Sequence, residues 1–186
     1  MEDQAILALY LARDEGAITA TDRAYGPYCR AIARNILPSH EDAEECVSDA
    51  YFAAWRSIPP QRPRRLAAYL GRLTRNLALN RFRSLGAEKR GGGQTALALS
   101  ELGESVPASA DTLRAVEEAA LTAAIQSFLT AQPPLRRHIF LRRYWYLAPI
   151  RDIARECGRS ESQVTSLLHR MRKQLRTHLE KEGITP

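Results

Sequence analysis

Apolar residues recur at every third or fourth position along most of this chain, and no stretch shows the period-two alternation of a half-buried strand. That confines the fold to packed helices. Glycine and proline then cut the pattern into pieces. Gly16, Pro38 with Ser39, Pro59 with Pro60, and Pro63 separate helices expected over residues 3–15, 17–37, 42–58 and 64–83. Residues 84–110 hold Gly86, Gly91, Gly92, Gly93, Gly103 and Pro107 among serines, which is linker chemistry. Within it, residues 95–102 could form a helical turn, because Leu97, Leu99 and Leu102 give it something to bury. The pattern resumes near residue 112, with breaks at Pro133, Pro149 and Gly158. The expected fold is all-α: two small helical domains, 1–84 and 112–186, joined by a flexible linker at 85–111.

Several function classes fall away. Cys29, Cys46 and Cys157 are odd in number, far apart and form no CxxC, which excludes a disulfide framework or a Cys-rich zinc module and fits a reducing cytoplasm. The first residues carry no basic and apolar leader, and no run of eighteen apolar residues exists. His40, His138, His169 and His178 form no HExxH, and neither a P-loop nor a GxSxG motif occurs. No enzyme activity, cofactor or metal is expected.

The 27 basic and 21 acidic residues are segregated. Residues 1–60 hold 5 basic and 10 acidic residues, 61–90 hold 9 and 1, 91–134 hold 1 and 5, and 135–186 hold 12 and 5. Two separated basic blocks suit a protein that grips a polyanion at two places, since each neutralised phosphate releases counterions. Solvated helix faces are the bland alternative.

The C-terminal block carries the sharpest motif. Over residues 150–176, Ala154 supplies the small residue where two helices cross, Gly158 tolerates a positive φ in the turn, and Val164 anchors the second helix. Ser160 and Gln163 have the spacing of a capping box. Val164, Leu167, Leu168, Met171, Leu175 and Leu179 form a buried stripe, which turns Ser162, Thr165, Ser166, His169, Lys173 and Arg176 outward, with Glu161, Arg170 and Arg172 on the flanks. Such a helix-turn-helix puts short polar side chains at base edges and basic ones on phosphates. The expected DNA contacts are Ser160, Glu161, Ser162, Thr165, Ser166, His169, Arg170 and Lys173.

The middle basic block follows a second logic. A helical wheel of residues 64–83 puts Leu66, Leu70, Leu73 and Leu77 in the core and lines up Arg65, Tyr69, Arg72, Asn76 and Arg83 on one flank, with Asn80 between. Arginines, amides and an aromatic suit unpaired DNA, where phosphates are held, base edges are exposed and a ring can stack. The preceding helix exposes Glu45, Ser48, Asp49, Phe52 and Arg56 while Ala43, Val47, Ala50 and Ala54 face inward. An acidic face with an exposed aromatic fits a protein partner better than DNA.

Three segments together resemble an extracytoplasmic-function sigma factor of the sigma-70 superfamily. DAEECVSDAYFAAWRSI (42–58) is similar to region 2.2, LAAYLGRLTRNLALNRFRS (66–84) to regions 2.3 and 2.4, and LRRHIFLRRYWYLAPIRDIARECGRSESQVTSLLHRMRKQLRTHL (135–179) to region 4. The resemblance implies a dissociable subunit of core RNA polymerase that directs promoter-specific initiation. Glu45, Asp49, Phe52 and Arg56 would dock on the clamp helices of the largest subunit. The PPQRPRR loop (59–65) and the next helix, through Arg65, Tyr69, Arg72, Asn76, Asn80 and Arg83, would read and melt the minus-ten element. Region 4 would read the minus-thirty-five element and touch the flap tip. The resemblance also implies an anti-sigma factor, no membrane insertion, and a cytoplasmic protein that joins the nucleoid in holoenzyme or is held at the membrane by that anti-sigma factor. Two places depart from the family pattern: the PPQRPRR loop, where members carry Gly, Ser or Asp, and Thr165 and Leu167, where a basic residue is common. The competing expectation is a helix-turn-helix regulator that is no polymerase subunit. It would need a ligand or receiver domain, and nothing before residue 110 alternates strand and helix.

Overall fold

Helical spacing produces helices throughout. The computed structural model describes residues 3–88, 94–103 and 114–184, and among these every regular element is an α-helix. The chain divides into two packed units, Met1–Gly91 and Gly92–Pro186.

The first unit holds α1 (Asp3–Leu11), α2 (Gly16–Ile36), α3 (His40–Ser57) and α4 (Leu66–Glu88). α2, α3 and α4 pack on one another, and α1 lies against α2 and α4. Ser39 caps α3 by accepting from the amide of Asp42, in front of an acidic first turn that suits the helix dipole. The core is built from Ile32, Ala33 and Ile36 of α2, from Ala43, Val47, Ala50 and Ala54 of α3, and from Leu66 and Leu70 of α4.

On α4 the expected stripe is rotated. Leu73 and Leu77 are half-buried, while Thr74 and Ala78 are buried. The helix is packed against both α2 and α3, and its buried line runs through 66, 70, 74 and 78. Leucines fill its first half and the smaller Thr74 and Ala78 its second. At Gly71 the ring of Tyr28 from α2 occupies the space a Cβ would take, so the two helices approach closely. Thr74 satisfies its hydroxyl on the Leu70 carbonyl at 2.9 Å, and its own carbonyl accepts from the Cys46 thiol at 3.6 Å. Burial pushes that thiol up to about 11, which leaves it inert as a nucleophile. α4 also runs past the expected end at residue 83, to Glu88.

The second unit holds α5 (Gln94–Gly103), α6 (Arg114–Thr130), α7 (Pro134–Tyr144), α8 (Ile150–Glu156) and α9 (Glu161–Lys181). α9 is its hub, packed on α6, α7 and α8. Phe128 and Phe140 meet edge to face at 6.4 Å, and His178 Nε2 donates to the Ala124 carbonyl at 3.1 Å, tying α9 to α6. Arg142 reaches Glu156 at 2.5 and 2.9 Å and joins α7 to α8.

The helical turn expected at residues 95–102 within the linker stands as α5. α5 packs on α7 with Ala98 fully buried, and Glu101 accepts from Arg143, Tyr144 and Arg172 at 3.2–3.4 Å. The Gly91, Gly92 and Gly93 run and Pro107 lie outside the described residues.

Candidate nucleic-acid interface

In the second unit the helix-turn-helix is built from local signals. Gly158 sits at φ +60, the left-handed conformation that lets the chain turn from α8 into α9. Ser160 accepts from the amide of Gln163 at 3.2 Å, and the Gln163 side chain accepts from the amide of Ser160 at 3.0 Å, so both halves of the capping box are made. Ala154 and Val164 are buried where α8 and α9 cross. Val164, Leu168, Met171, Leu175 and Leu179 are buried as one stripe, and Leu167 is half-buried at its edge.

Ser160, Glu161, Ser162, Thr165, Ser166, His169, Arg170 and Lys173 are all exposed, on the turn and the outer face of α9. The face is short and polar at its start and basic further on, which suits base edges followed by phosphates. Arg172, placed on the flank by the helical wheel, is drawn inward: it donates to Tyr144 Oη at 2.6 Å and to Glu101 at 3.3 Å.

A groove of about 590 Å³ opens beside this face, lined by Arg136 of α7, Arg159 of the turn, and Ser162, Ser166 and Arg170 of α9. Three guanidinium groups and two hydroxyls, beside the apolar side chains of Leu135, Ile139 and Leu167, give this groove the chemistry to hold a phosphate. Arg136 and Arg159 were missing from the sequence-based set because they lie off α9, although both belong to the basic block.

In the first unit two exposed polar faces, on α3 and α4, belong to helices that pack on each other. On α3, Glu45, Ser48, Asp49, Phe52 and Arg56 are exposed; Phe52 is 58% accessible, with the Arg56 guanidinium 5.8 Å from its ring. Glu45 is not a free charge. Arg81 of α4 reaches Glu45 at 2.6 Å and Asp42 at 2.8 Å, and this pairing holds the Glu45 carboxyl below its ordinary value. Arg81 went unnoticed in the sequence because its partners lie 36 and 39 residues away.

On α4 and before it, Arg65, Arg72, Asn76, Asn80 and Arg83 are exposed. Tyr69 stands apart. It is only 7% accessible, its hydroxyl lies 2.6 Å from Ser57 Oγ at the end of α3, and Arg72 lies over its ring at 5.5 Å. Burial, more than the nearby Arg83, holds the Arg75 guanidinium below its ordinary value. Gln61, Arg62, Arg64 and Arg65 are exposed on the loop between α3 and α4.

Among the described residues, no group of three or more His, Cys, Asp or Glu side chains could hold a metal ion, and no helix is long and apolar enough to cross a membrane. The sigma-70 region 2 family model matches residues 22–88 and the sigma-70 region 4 model matches residues 123–175. No curated protein matches the chain.

Proposed function

Because this chain belongs to the sigma-70 family, with a region 2 and region 4 pair that supports an extracytoplasmic-function member, we propose that it is an alternative sigma factor that recruits core RNA polymerase through α3 and reads promoters with α4 and α9. The family makes it a non-enzymatic factor for promoter-specific initiation, with core polymerase and promoter DNA as partners. The finer assignments are ours. Glu45, Asp49, Phe52 and Arg56 form the surface for the clamp helices. The loop 59–65 with Arg65, Tyr69, Arg72, Asn76, Asn80 and Arg83 works at the minus-ten element, where Tyr69 acts by fixing α4 to the end of α3. Ser160, Glu161, Ser162, Thr165, Ser166, His169, Arg170 and Lys173 read the minus-thirty-five element, and Arg136 and Arg159 add phosphate contacts beside them. An anti-sigma factor and a cytoplasmic location belong to the same reading.

The observation that carries it is that each matched segment lies in its own packed unit and each unit presents a polar and basic helix face. Two such faces give little affinity singly and much when polymerase holds both in place. Melting supplies the test. Asn80→Ala in holoenzyme should slow open-complex formation about fivefold on duplex promoter and less than twofold on a template already mismatched across the minus-ten region, because an extruded base is captured only after unpairing. Equal slowing on both templates would contradict the role given to α4.

A further inference from the structure

The loop that leads into α4 is held at both ends by a helix outside the matched segments. Its first end is the C-terminus of α3, where backbone carbonyls lack intrahelical partners; its second is the N-terminus of α4, where amides do. Arg13, just past the end of α1, donates to the Trp55 carbonyl at 2.5 Å, and its guanidinium lies 5.4 Å from the Trp55 ring. Asp3, the first residue of α1, accepts from the Leu66 amide at 2.9 Å, and its other carboxylate oxygen accepts from the Tyr25 hydroxyl of α2. Burial together with Asp3 pushes the Tyr25 phenol up to about 12, so it stays a donor.

Both charges have the sign the helix dipoles favour, a cation at a C-terminus and an anion at an N-terminus. α1 itself is anchored: Ile6 and Tyr10 are fully buried, Tyr10 Oη lies 2.9 Å from Thr21 Oγ1, and the Tyr10 and Trp55 rings meet at 6.2 Å. Arg13 holds a left-handed φ of +57, a conformation usually left to glycine at a helix end, and there a glycine could make no bond to Trp55.

We infer that α1 is a clamp for the promoter-reading loop: Asp3 and Arg13 are positioning residues that fix the direction in which α3 ends and α4 begins, and so set the geometry of residues 59–65 without touching DNA. This rests on the reading that the loop and α4 act at the minus-ten element. Family membership does not supply it, since the region 2 match begins at residue 22.

The experiment measures open-complex formation by holoenzyme on duplex and on minus-ten-mismatched promoter, well below the melting temperature of every variant. Asp3→Ala and Arg13→Gly should each slow opening about fivefold on duplex and less than twofold on the mismatched template, the loss of one helix cap. Asp3→Asn, which keeps a capping oxygen, should restore the duplex rate to within about twofold of wild type. Val47→Ala, a core change on α3 away from the loop, serves as the stability control and should show no template dependence.

Should Asp3→Ala and Arg13→Gly open duplex promoter like wild type while Asn80→Ala is slowed, the clamp is wrong and the minus-ten reading stands. Equal rates for Asn80→Ala and wild type would remove the reading itself. Slowing of the clamp variants on both templates alike, or the same defect in Val47→Ala, would reduce α1 to a structural support and overturn the inference. If Asp3→Ala does not fold, Arg13→Gly decides, because glycine suits the backbone there.

Discussion

Replacing Glu101 with glutamine removes a carboxylate that lies against two guanidinium groups inside the second unit. Arg143 has no accessible side-chain surface, Arg172 has 16% and Glu101 has 20%, so water screens the cluster poorly. Breaking a buried pair from one side costs about 3–5 kcal/mol. The contacts here, at 3.4 Å to Arg143, 3.3 Å to Arg172 and 3.2 Å to Tyr144 Oη, are longer than the ~2.8 Å of a strong charge-assisted bond, which lowers the expectation to about 2 kcal/mol. Tyr144, pushed up to about 12 chiefly by its burial, stays neutral and retains its 2.6 Å bond from Arg172, while glutamine, with one acceptor oxygen in place of two, also gives up at least one of the hydrogen bonds that Glu101 accepts. Each unit has one tryptophan, Trp55 and Trp145. A urea titration followed by Trp145 fluorescence in a Trp55→Phe background therefore reports on the second unit alone. With an m-value of about 2 kcal/mol/M, the midpoint should fall by about 1 M. A loss below about 0.5 kcal/mol would mean that α5 does not brace α7 and α9, and the argument from the buried arginine would fail.

Two further outcomes follow from the first unit. Asp49→Lys combined with Phe52→Ala should weaken competition for core polymerase about tenfold while moving Tm by less than about 2 °C; a variant that competes as well as wild type would remove α3 from the docking surface. Glu45 is a poorer probe of docking, because its loss also frees Arg81. The ion pairs of Glu44 with Arg30 and Arg34 hold its carboxyl below the ordinary range, the Arg30 hydrogen bond most of all. A carboxylate lowered in the folded state stabilises above its unfolded pKa and loses that contribution as pH falls through the folded value. Thermal melting of the first unit should therefore decline as the pH is taken from about 5 to about 3, and Glu44→Gln should lower Tm at neutral pH and flatten the decline. An unchanged profile in Glu44→Gln would show that these half-exposed pairs contribute nothing.

What the sequence made legible was what neighbouring residues decide. The turn at Gly158, the capping box of Ser160 with Gln163, and the two faces of α3 each follow from spacings of a few residues, and each stands in the structure at those residues. Periodicity placed α4 but not its rotation, because Thr74 and Ala78 are chosen over Leu73 and Leu77 by the closeness of α2 and α3, which a helical wheel does not contain. The side-chain bridges were invisible for the same reason. Arg81 reaches across 39 residues to Asp42, Glu101 across 71 to Arg172, and Asp3 across 63 to Leu66. Charge blocks pointed to a polyanion correctly in kind, yet counted Arg81, Arg143 and Arg172 with the exposed cations although they are committed to partners within the fold. Within the linker, Leu97, Leu99 and Leu102 marked residues 95–102 as a helical turn, and α5 stands there, but the Glu101 contacts that hold it reach across 42 to 71 residues and were not legible.

Runoff transcription with purified core polymerase, on promoter fragments with and without this protein, tests the central claim most directly. Added to core, the protein should yield transcripts from a defined start site whose yield depends on both the minus-ten and minus-thirty-five sequences, while the isolated chain shows no tight complex with the same duplex in a gel shift at physiological salt. Tight, sequence-specific binding by the free chain, with no promoter-dependent transcript when core is supplied, would contradict the account and identify a regulator that acts without being a polymerase subunit.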